Sequence, residues 1–416
     1  MRRPTVSLFI FTLSLSLLAF VFPGGHAAQA QTYTVLHRFT GGEDGGVPYA
    51  GLTPDGSGSF YGTTAGKGQG VGTVFRLKQT EGNWVLQTIA SGLDYPLGRV
   101  VFGPQGRLYG TTYGPNCGFG GSCGGVYGLQ RSCSNENCPW TMTVLYQFEC
   151  QLCSDGAQPF FVDPVFDQAG NLYGTTLGGG SLQGNVFKLT PPSDGSMGQW
   201  TETVLYNFTG GNDGGLPASG VILDTAGNLY GTTQYGGSFG NGTVYKLSPA
   251  GSSWVLSTLH SFSGGDDGQF PLSALISDSS GSLYGTTAGA GAAGGGTVFR
   301  LSPSGGSWIF SVLYSLPGAN GGPVGSLTMD AAGNFYGTTV NDGTHGYGSV
   351  FELMPLNGDW IYSDLYDFSY LRYVVSSNGY EPTGAVALDA SGHLYGTTPR
   401  GGLCPFGCGV IWEITR

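Results

Sequence analysis

The sequence contains few charged residues, and basic residues are the scarcest of them. Of 416 residues only 15 are Lys or Arg, against 26 Asp or Glu, so the formal net charge is −11. An ordinary soluble domain carries about 25% charged residues, whereas this chain carries 10%. An acidic surface repels phosphate backbones, so nucleic acid is excluded as an expected partner.

Motifs of familiar enzyme chemistry are also missing. The sequence has no nucleophile elbow, no phosphate-binding loop and no HExxH zinc motif. Apart from His26 near the N-terminus, three histidines stand where other copies of an internal repeat have Tyr or Asn: His37, His260 and His393. Only His345 lies off the repeat pattern, and one histidine cannot form a zinc site. We therefore expect no cofactor, with calcium as the one alternative considered below.

The first thirty residues have the pattern of a secretory signal. A basic start is followed by an apolar run at residues 6–22, and Ala28 and Ala30 supply the small residues that precede a cleavage site. The run is short for a membrane span, and no stop-transfer pattern supports the alternative of a retained anchor. We expect residues 1–30 to be removed after Ala30, and residues 31–416 to form one exported domain, secreted or periplasmic, with no membrane span. Losing two arginines and no acid takes the net charge from −11 to −13.

Glycine and aromatic residues are abundant, with 78 Gly, 24 Phe, 23 Tyr and 7 Trp. Disordered chains lack such aromatic content, so the composition favours a large core with many turns. The tetrad YGTT recurs seven times at intervals of 48 to 64 residues, which indicates a repeat architecture. Its copies begin at Tyr61, Tyr109, Tyr173, Tyr230, Tyr284, Tyr336 and Tyr395.

Each copy contains four short strand patterns and no helical period. In the fourth copy they are residues 218–224, 228–233, 242–247 and 254–262, with an Asp-x-x-Gly turn between the first two. Four antiparallel strands repeated seven times predict an all-β fold, a seven-bladed β-propeller. A β-helix is the alternative, but its coils are much shorter than this repeat.

The two ends of the mature chain predict how the ring closes. Residues 33–39 match the fourth strand of a copy, and residues 410–414 match the third. The last copy therefore lacks its outer strand, and the N-terminal segment supplies a spare one. Pairing the two would close the ring and remove an exposed sheet edge.

The sequences NLYGTT, GTVYKLSP, VLYNF and TGGNDGGLP together resemble the GloVer tandem-repeat family. The resemblance covers essentially the whole mature chain. It implies a secreted or surface-bound bacterial protein, often with a C-terminal anchor, and it implies no particular activity. This chain shows no C-terminal apolar tail or sorting signal before Arg416, so we expect no anchor. The Asp-x-x-Gly hairpin alone is also similar to the turn of other propellers, including secreted lactonases.

Eight cysteines fall into four close pairs. In an exported protein an even number favours disulfides, and local bridges are the simplest connectivity. A metal cluster is the alternative. The pairs are Cys117 with Cys123, Cys133 with Cys138, Cys150 with Cys153, and Cys404 with Cys408.

Acidic glycine-rich loops join consecutive copies and allow two interpretations. Clustered carboxylates could bind Ca²⁺ through oxygen ligands. An Asp-Gly pair also makes a tight turn without any ion, and this interpretation is preferred because the loops lack the dense ligand spacing of a calcium site. The carboxylates concerned are Asp44, Asp213, Asp266 and Asp267.

Loops that break the repeat are the best guide to a binding site, because the scaffold does not require them. In a propeller the links between blades and the loops after YGTT lie on one face. There, copies 6, 7, 1 and 2 offer aromatic and charged residues that would suit a sugar or peptide ligand. We predict a ligand site formed by Tyr95, Arg99, Tyr113, His345, Tyr347, Tyr370, Arg372, Tyr373 and Arg400.

The sequence thus favours an exported, monomeric binding or scaffold protein whose partner is an oligosaccharide, a polysaccharide or a protein. The alternative is a carbohydrate-active hydrolase or lyase, or a lactonase. A glycosidase would need two acids facing one bond, and the candidates are Asp94, Asp342 and Glu381.

Overall fold

The structure is a computed structural model that describes residues 31–66, 71–115, 122–133, 135, 138–149, 154–180, 182–318, 321–370, 378–402, 404 and 407–416. Within these ranges the chain forms seven four-stranded antiparallel sheets, which confirms the predicted seven-bladed propeller. One 3-10 turn, Pro104–Gly106, interrupts the strands. Among the described residues no helix is long and apolar enough to cross a membrane. The predicted signal, residues 1–30, lies outside them.

The blades follow one another in chain order, and each begins with a two-residue inner strand. Blade 1 contains β2 (Thr53–Pro54), β3 (Ser59–Thr64), β4 (Gly72–Thr80) and β5 (Asn83–Leu93). Blade 2 contains β6 (Val101–Phe102), β7 (Leu108–Thr112), β8 (Gly125–Arg131) and β9 (Trp140–Gln147). Blade 3 contains β10 (Val165–Phe166), β11 (Leu172–Thr176), β12 (Asn185–Thr190) and β13 (Thr201–Asn207). Blade 4 contains β14 (Ile222–Leu223), β15 (Leu229–Thr233), β16 (Thr243–Ala250) and β17 (Ser253–Ser261).

The remaining blades have the same organisation. Blade 5 contains β18 (Ile276–Ser277), β19 (Leu283–Thr287), β20 (Gly294–Ser304) and β21 (Ser307–Pro317). Blade 6 contains β22 (Thr328–Met329), β23 (Phe335–Thr339), β24 (Ser349–Leu356) and β25 (Asp359–Asp367). Blade 7 contains β26 (Ala387–Leu388), β27 (Leu394–Thr398) and β28 (Val410–Thr415), and its fourth strand is β1 (Thr32–Arg38).

The pairing of β1 with β28 confirms the predicted ring closure. Tyr33 lies opposite Ile414 and Val35 lies opposite Trp412 in an antiparallel register. The Tyr33 ring stacks on Tyr366 of blade 6 with a centroid distance of 3.9 Å, so the first strand also contacts the neighbouring blade. Sheet edges that would otherwise be exposed are therefore paired, as a closed architecture requires.

The inner strands are shorter than the sequence predicts. Residues 218–224 were expected to form a full strand, but only Ile222–Leu223 pair with β15. The preceding carbonyl groups bind the neighbouring blade instead: the Thr175 hydroxyl of blade 3 donates to the Ser219 carbonyl at 2.6 Å. The first threonine of YGTT makes the same bond to the next blade in five further copies: Thr63, Thr111, Thr232, Thr338 and Thr397.

The tyrosine and the preceding leucine of the repeat fill opposite interfaces between blades. Tyr230 packs with Leu283 of blade 5, whereas Leu229 packs with Tyr173 of blade 3. The turn before them is held by Asp224, whose carboxylate accepts the Asn228 N–H at 2.8 Å and the Tyr230 hydroxyl at 3.0 Å. These contacts assign the repeated motif to the joints between blades.

The ring has two distinct faces. One face carries the connections between blades together with the loops after YGTT, and we call it the link face. These two kinds of segment bind each other there: Tyr113 N–H donates to the Tyr95 carbonyl at 2.9 Å, and Ala65 N–H donates to the Val47 carbonyl at 3.1 Å. We call hairpin face the opposite one, which carries the Asp-x-x-Gly turns. Between them runs a narrow axial cavity of about 30 Å³, lined by the inner segment of every blade.

Candidate functional site

The acidic carboxylates of the link loops are used within the loops themselves. Asp44 accepts the Thr40 N–H at 3.0 Å and lies 3.1 Å from His37 Nε2. Asp267 repeats this arrangement with Ser263 and His260. Asp213 does so with Thr209 and the hydroxyl of Tyr206, whereas the side chain of Asp266 is exposed. The geometry matches the interpretation of these loops as side-chain-capped turns.

Glu202, an acid close to one of these loops, has an unfavourable electrostatic environment for its ionised form. Burial, together with the nearby Asp155, raises the pKa of Glu202 to about 7. Asp155 is itself 9% exposed and accepts the Tyr146 hydroxyl at 2.6 Å. Ionising Glu202 in the folded protein therefore places a second negative charge near a buried carboxylate.

This pair predicts a pH dependence of stability. Because the folded state binds the Glu202 proton more tightly than the unfolded state, its contribution is fully present below about pH 4.5 and is lost as the pH rises towards 7. After allowance for solvent screening the loss should be about 1–2 kcal/mol. Chemical denaturation of the wild type and of Glu202→Gln between pH 4 and 8 measures it. The variant should lack this component, and identical pH profiles would contradict the assignment.

The link face combines a constant backbone with variable side chains. The residue before the link proline has a positive φ in six of the links, namely at Val47, Tyr95, Gln158, Leu216, Phe270 and Glu381. Its N–H binds the preceding blade, as in Glu381 N–H to the Tyr347 carbonyl at 2.8 Å. Since this bond uses only backbone atoms, the side chain is free to differ from blade to blade. Differences between the link-face side chains can therefore carry specificity.

Three tyrosines cluster at the junction of blades 6 and 7. Centroid distances are 5.5 Å between Tyr347 and Tyr370, 5.1 Å between Tyr370 and Tyr380, and 5.9 Å between Tyr347 and Tyr380. Beside them Arg400 Nε lies 3.4 Å from Glu381 Oε2. The sequence indicated four of these five residues and missed Tyr380, which follows the irregular link. Arg372 and Tyr373 lie outside the described residues, and the side chain of His345 is exposed in the preceding loop.

A second aromatic group surrounds the link-face end of the axial cavity at blades 1 to 3. The Tyr113 ring contacts Phe160 at 5.5 Å, Phe160 contacts Phe161 at 4.5 Å, and Phe161 contacts Tyr49 at 6.2 Å. Of these four rings only Tyr113 was expected from the sequence. Blade 3 has one more residue than blade 1 between the link proline and the inner strand, and this insertion gives Phe161 a φ of 48°.

The axial cavity contains an ion pair at the same place. Arg99 donates through Nε and through its backbone N–H to Asp163, at 2.7 and 2.8 Å. Most residues at this level of the ring are Gly, Ala or Ser, so this pair makes the cavity asymmetric. Arg99 was predicted as a ligand-binding residue, and the structure provides Asp163 as its internal partner.

A third group of rings lies at blades 4 and 5, beyond the sector that the sequence suggested. Tyr235 contacts Phe270 at 5.3 Å, and Tyr235 and Phe239 are 41% and 62% exposed. Both positions vary between copies, and the aromatic residues could have been recognised by comparing the loops after YGTT. The link face thus presents three groups of aromatic side chains, at blades 6–7, 1–3 and 4–5.

The three acids considered for catalysis have different surroundings. Glu381 is paired with Arg400, and Asp94 borders a cleft between blades 1 and 2. Asp342 is in blade 6, where burial, with Asp364 and Asp367 nearby, raises its pKa. Among the described residues no contact joins any two of these three carboxylates, so each retains a separate environment.

Two of the predicted disulfides are present in the described part of the chain. Cys133 is bonded to Cys138, and Cys404 is bonded to Cys408. Cys123 is also disulfide-bonded. The remaining cysteines, Cys117, Cys150 and Cys153, lie outside the described residues. Such bonds persist in oxidising compartments.

Known structures share the fold at low sequence identity. A protein of Bacteroides uniformis described as a 6-phosphogluconolactonase is 16% identical, with 88% of this chain and 98% of that chain covered and a TM-score of 0.50. A protein of Thermus thermophilus described as an oxidoreductase (glucose dehydrogenase) is 16% identical, with 92% of this chain and 100% of that chain covered and a TM-score of 0.41. The NanB sialidase of Streptococcus pneumoniae is 9% identical, with 92% and 70% covered and a TM-score of 0.41. At these identities the likeness concerns the fold alone.

Sequence comparison gives a more specific result. No curated protein matches the sequence. The Gloeobacter/Verrucomicrobia repeat matches in three overlapping stretches, residues 26–223, 119–320 and 167–412. Because these stretches extend over nearly the whole chain and the structure is a ring of such repeats, the protein belongs to the Gloeobacter/Verrucomicrobia repeat family.

Proposed function

We propose that this protein is an exported binding module that holds a carbohydrate chain on its link face. The observation that carries the proposal is the set of three aromatic groups around that face, at blades 6–7, 1–3 and 4–5. Sugar rings have apolar faces that pack on aromatic side chains, while their hydroxyl groups need few charged partners. A propeller presents such rings on a rigid scaffold, so little conformational entropy is lost on binding.

The tyrosine cluster of blades 6 and 7 provides the sharpest test. Tyr370 is 36% exposed and packs between Tyr347 and Tyr380. Replacing Tyr370 by Ala should weaken binding of the polysaccharide by roughly tenfold, because one stacking surface is lost. Affinity electrophoresis or calorimetry against a panel of neutral polysaccharides measures the change.

Matched variants make the result interpretable. Tyr370→Phe keeps the ring and should bind nearly as well as the wild type. Ile309→Ala removes an exposed apolar residue from the outer strand of blade 5 and should change nothing. Equal affinity of Tyr370→Ala and wild type for every glycan that binds would argue against the link face as the site.

A second function is favoured by the environment of Asp342. Burial raises the pKa of Asp342, and its buried Oδ2 atom has no hydrogen-bond partner within the described residues, so this carboxyl could hold the proton that a general acid must donate. We therefore propose cleavage of a glycosidic or ester bond as the alternative activity. Product analysis on the same polysaccharide samples tests it. Products that disappear with Asp342→Asn would establish turnover, whereas binding without products would leave the binding module as the function.

A further inference from the structure

Blade 2 departs from the repeat at three positions, all on the hairpin face. Gly103 stands where the other six blades have the turn aspartate. Arg107 stands where those blades have Ser, Asn or His. Arg131 lies opposite Trp140 in the pairing of β8 with β9. At the same position of the pairing, blades 4, 5 and 6 have a proline opposite the tryptophan: Pro249, Pro303 and Pro355.

The first two departures belong to the same turn. A Cβ at Gly103 would lie 2.6 Å from the Tyr109 ring and 2.7 Å from the Phe166 ring of blade 3, so both rings would have to shift to admit an aspartate. Without that carboxylate, the side chain of residue 107 has no acidic partner in its own turn, and Nη1 of Arg107 donates to the Gly195 carbonyl of blade 3 at 3.2 Å. The turn becomes the 3-10 segment Pro104–Gly106, with Gln105 at a φ of 63°.

The third departure adds a second guanidinium on the neighbouring strand. Arg131 lies over the Trp140 ring at 4.8 Å, and its Nη2 donates to the Tyr61 hydroxyl at 3.0 Å. Its Nε atom is buried and has no hydrogen-bond partner within the described residues. The Cys133–Cys138 disulfide follows directly along the chain and closes the loop at the end of this strand.

The two arginines line adjacent clefts. The first cleft, between blades 1 and 2, has a volume of about 360 Å³ and is bordered by Phe102, Arg131 and Trp140. The second, between blades 2 and 3, has a volume of about 450 Å³ and is bordered by Asn171 and Trp200. Gln105 and Arg107 border both clefts, so the turn of blade 2 is the shared ridge of one extended surface.

Charge distinguishes this surface from the rest of the molecule. Arg99, Arg400 and Arg416 each form an ion pair with a carboxylate, whereas Arg107 and Arg131 form none with any carboxylate of the described ranges. Asp55 also borders the first cleft, and its Oδ1 accepts hydrogen bonds from Ser57 and Ser59. In a chain with a net charge of −11, two arginines without a carboxylate partner provide a local site for an anion.

We propose that the two clefts together bind an acidic glycan chain, one whose sugars carry carboxylate or sulfate groups. The guanidinium groups would bind the anionic substituents through charge-assisted hydrogen bonds. Phe102, which is 38% exposed, would pack on a sugar face. Gln105 and Asn171 supply amide groups for hydroxyls. This site lies on the face opposite to the one in the proposed function and does not depend on it.

The test compares three polymers on the full mature chain: polygalacturonate, dextran sulfate and uncharged dextran. The wild type should bind at least one of the two acidic polymers. Its affinity for uncharged dextran at the hairpin face should be at least tenfold lower. Binding should weaken as salt is raised. Retention of polygalacturonate alone identifies carboxylate as the recognised group, and retention of dextran sulfate alone identifies sulfate.

Two substitutions taken from the repeat itself remove the cations. Arg107→Ser introduces the serine that blades 1 and 5 have at this position. Arg131→Gln introduces a glutamine, as in blade 1, where Gln79 lies opposite Trp84. Each should weaken binding of the acidic polymer by roughly tenfold and the pair by roughly a hundredfold, with unchanged melting temperatures. Lys246→Gln removes the same charge from blade 4 and should have no effect.

Two outcomes would overturn the proposal. One is equal binding of the acidic polymer by the wild type and the double variant. The other is failure of the wild type to bind either acidic polymer. The link-face variant Tyr370→Ala should leave acidic-polymer binding intact, and the arginine variants should leave neutral-polysaccharide binding intact. Failure of one site can therefore be recognised separately from failure of the other.

Discussion

A chain from which residues 31–40 have been deleted should lose most of its folding stability. The deletion removes β1, so β28 is paired with only one strand, and Trp412 loses its contact with Tyr33. It also removes Phe39, which is fully buried and contacts Phe75 of blade 1 at a centroid distance of 5.4 Å. Loss of a buried phenylalanine alone costs about 3–5 kcal/mol, and a whole domain has about 5–15 kcal/mol of stability. We expect the cooperative melting transition to be lost or lowered by more than about 10 °C.

The control for this deletion is the chain that begins at Gln31, which lacks only the expected signal. A synthetic peptide of residues 31–40 added to the shortened chain should restore part of the transition, because an extended segment can pair with a free sheet edge. If the shortened chain melted like the control, the ring would not depend on β1, and the closure seen in the structure would have no energetic role.

The ring closure could be predicted because the repeat has a fixed order of strands. Once residues 33–39 match a fourth strand and residues 410–414 match a third, only one pairing completes the last blade. The length of the inner strand could not be predicted in this way. The residues around Val221 are small and apolar, as in a buried strand, but the Ser219 carbonyl accepts the Thr175 hydroxyl of the preceding blade. Such a partner is distant in sequence.

The aromatic groups of the link face were predicted only where unusual residues replace the repeat. Tyr347 and Tyr370 were recognised because the loops around them are irregular. Phe161 and Asp163 were missed because blade 3 has one inserted residue between the link proline and the inner strand. The positive φ that Phe161 adopts there can be seen only in the structure. Arg107 was missed for another reason. The loss of the turn aspartate at Gly103 is evident in the sequence, but the two clefts that Arg107 borders are visible only in the structure.

The glycine of YGTT should be among the least replaceable residues of the protein. In every blade an aromatic side chain of the third strand covers this glycine. A Cβ at Gly396 would lie 2.2 Å from the Trp412 ring, and the corresponding distance in blade 4 is 2.5 Å to the Tyr245 hydroxyl. Trp412 is fully buried and packs between Tyr33 and Phe368, so it has little space to move. We expect Gly396→Ala to cost about 3 kcal/mol, the upper end of the range for overpacking.

Chemical denaturation of a double-mutant cycle isolates this steric cause. Gly42 is an exposed glycine whose added Cβ meets its nearest atom only at 3.4 Å, so Gly42→Ala should change the free energy of unfolding by less than about 0.5 kcal/mol. Trp412→Leu destabilises by itself, but in that background Gly396→Ala should cost less than about 1 kcal/mol, because neighbouring substitutions that share a contact are not additive. An equal cost in both backgrounds would contradict the ring contact. The predicted coupling follows from the close approach of strand and aromatic ring, and that approach accounts for a glycine at this point of all seven copies without any chemical role for the motif.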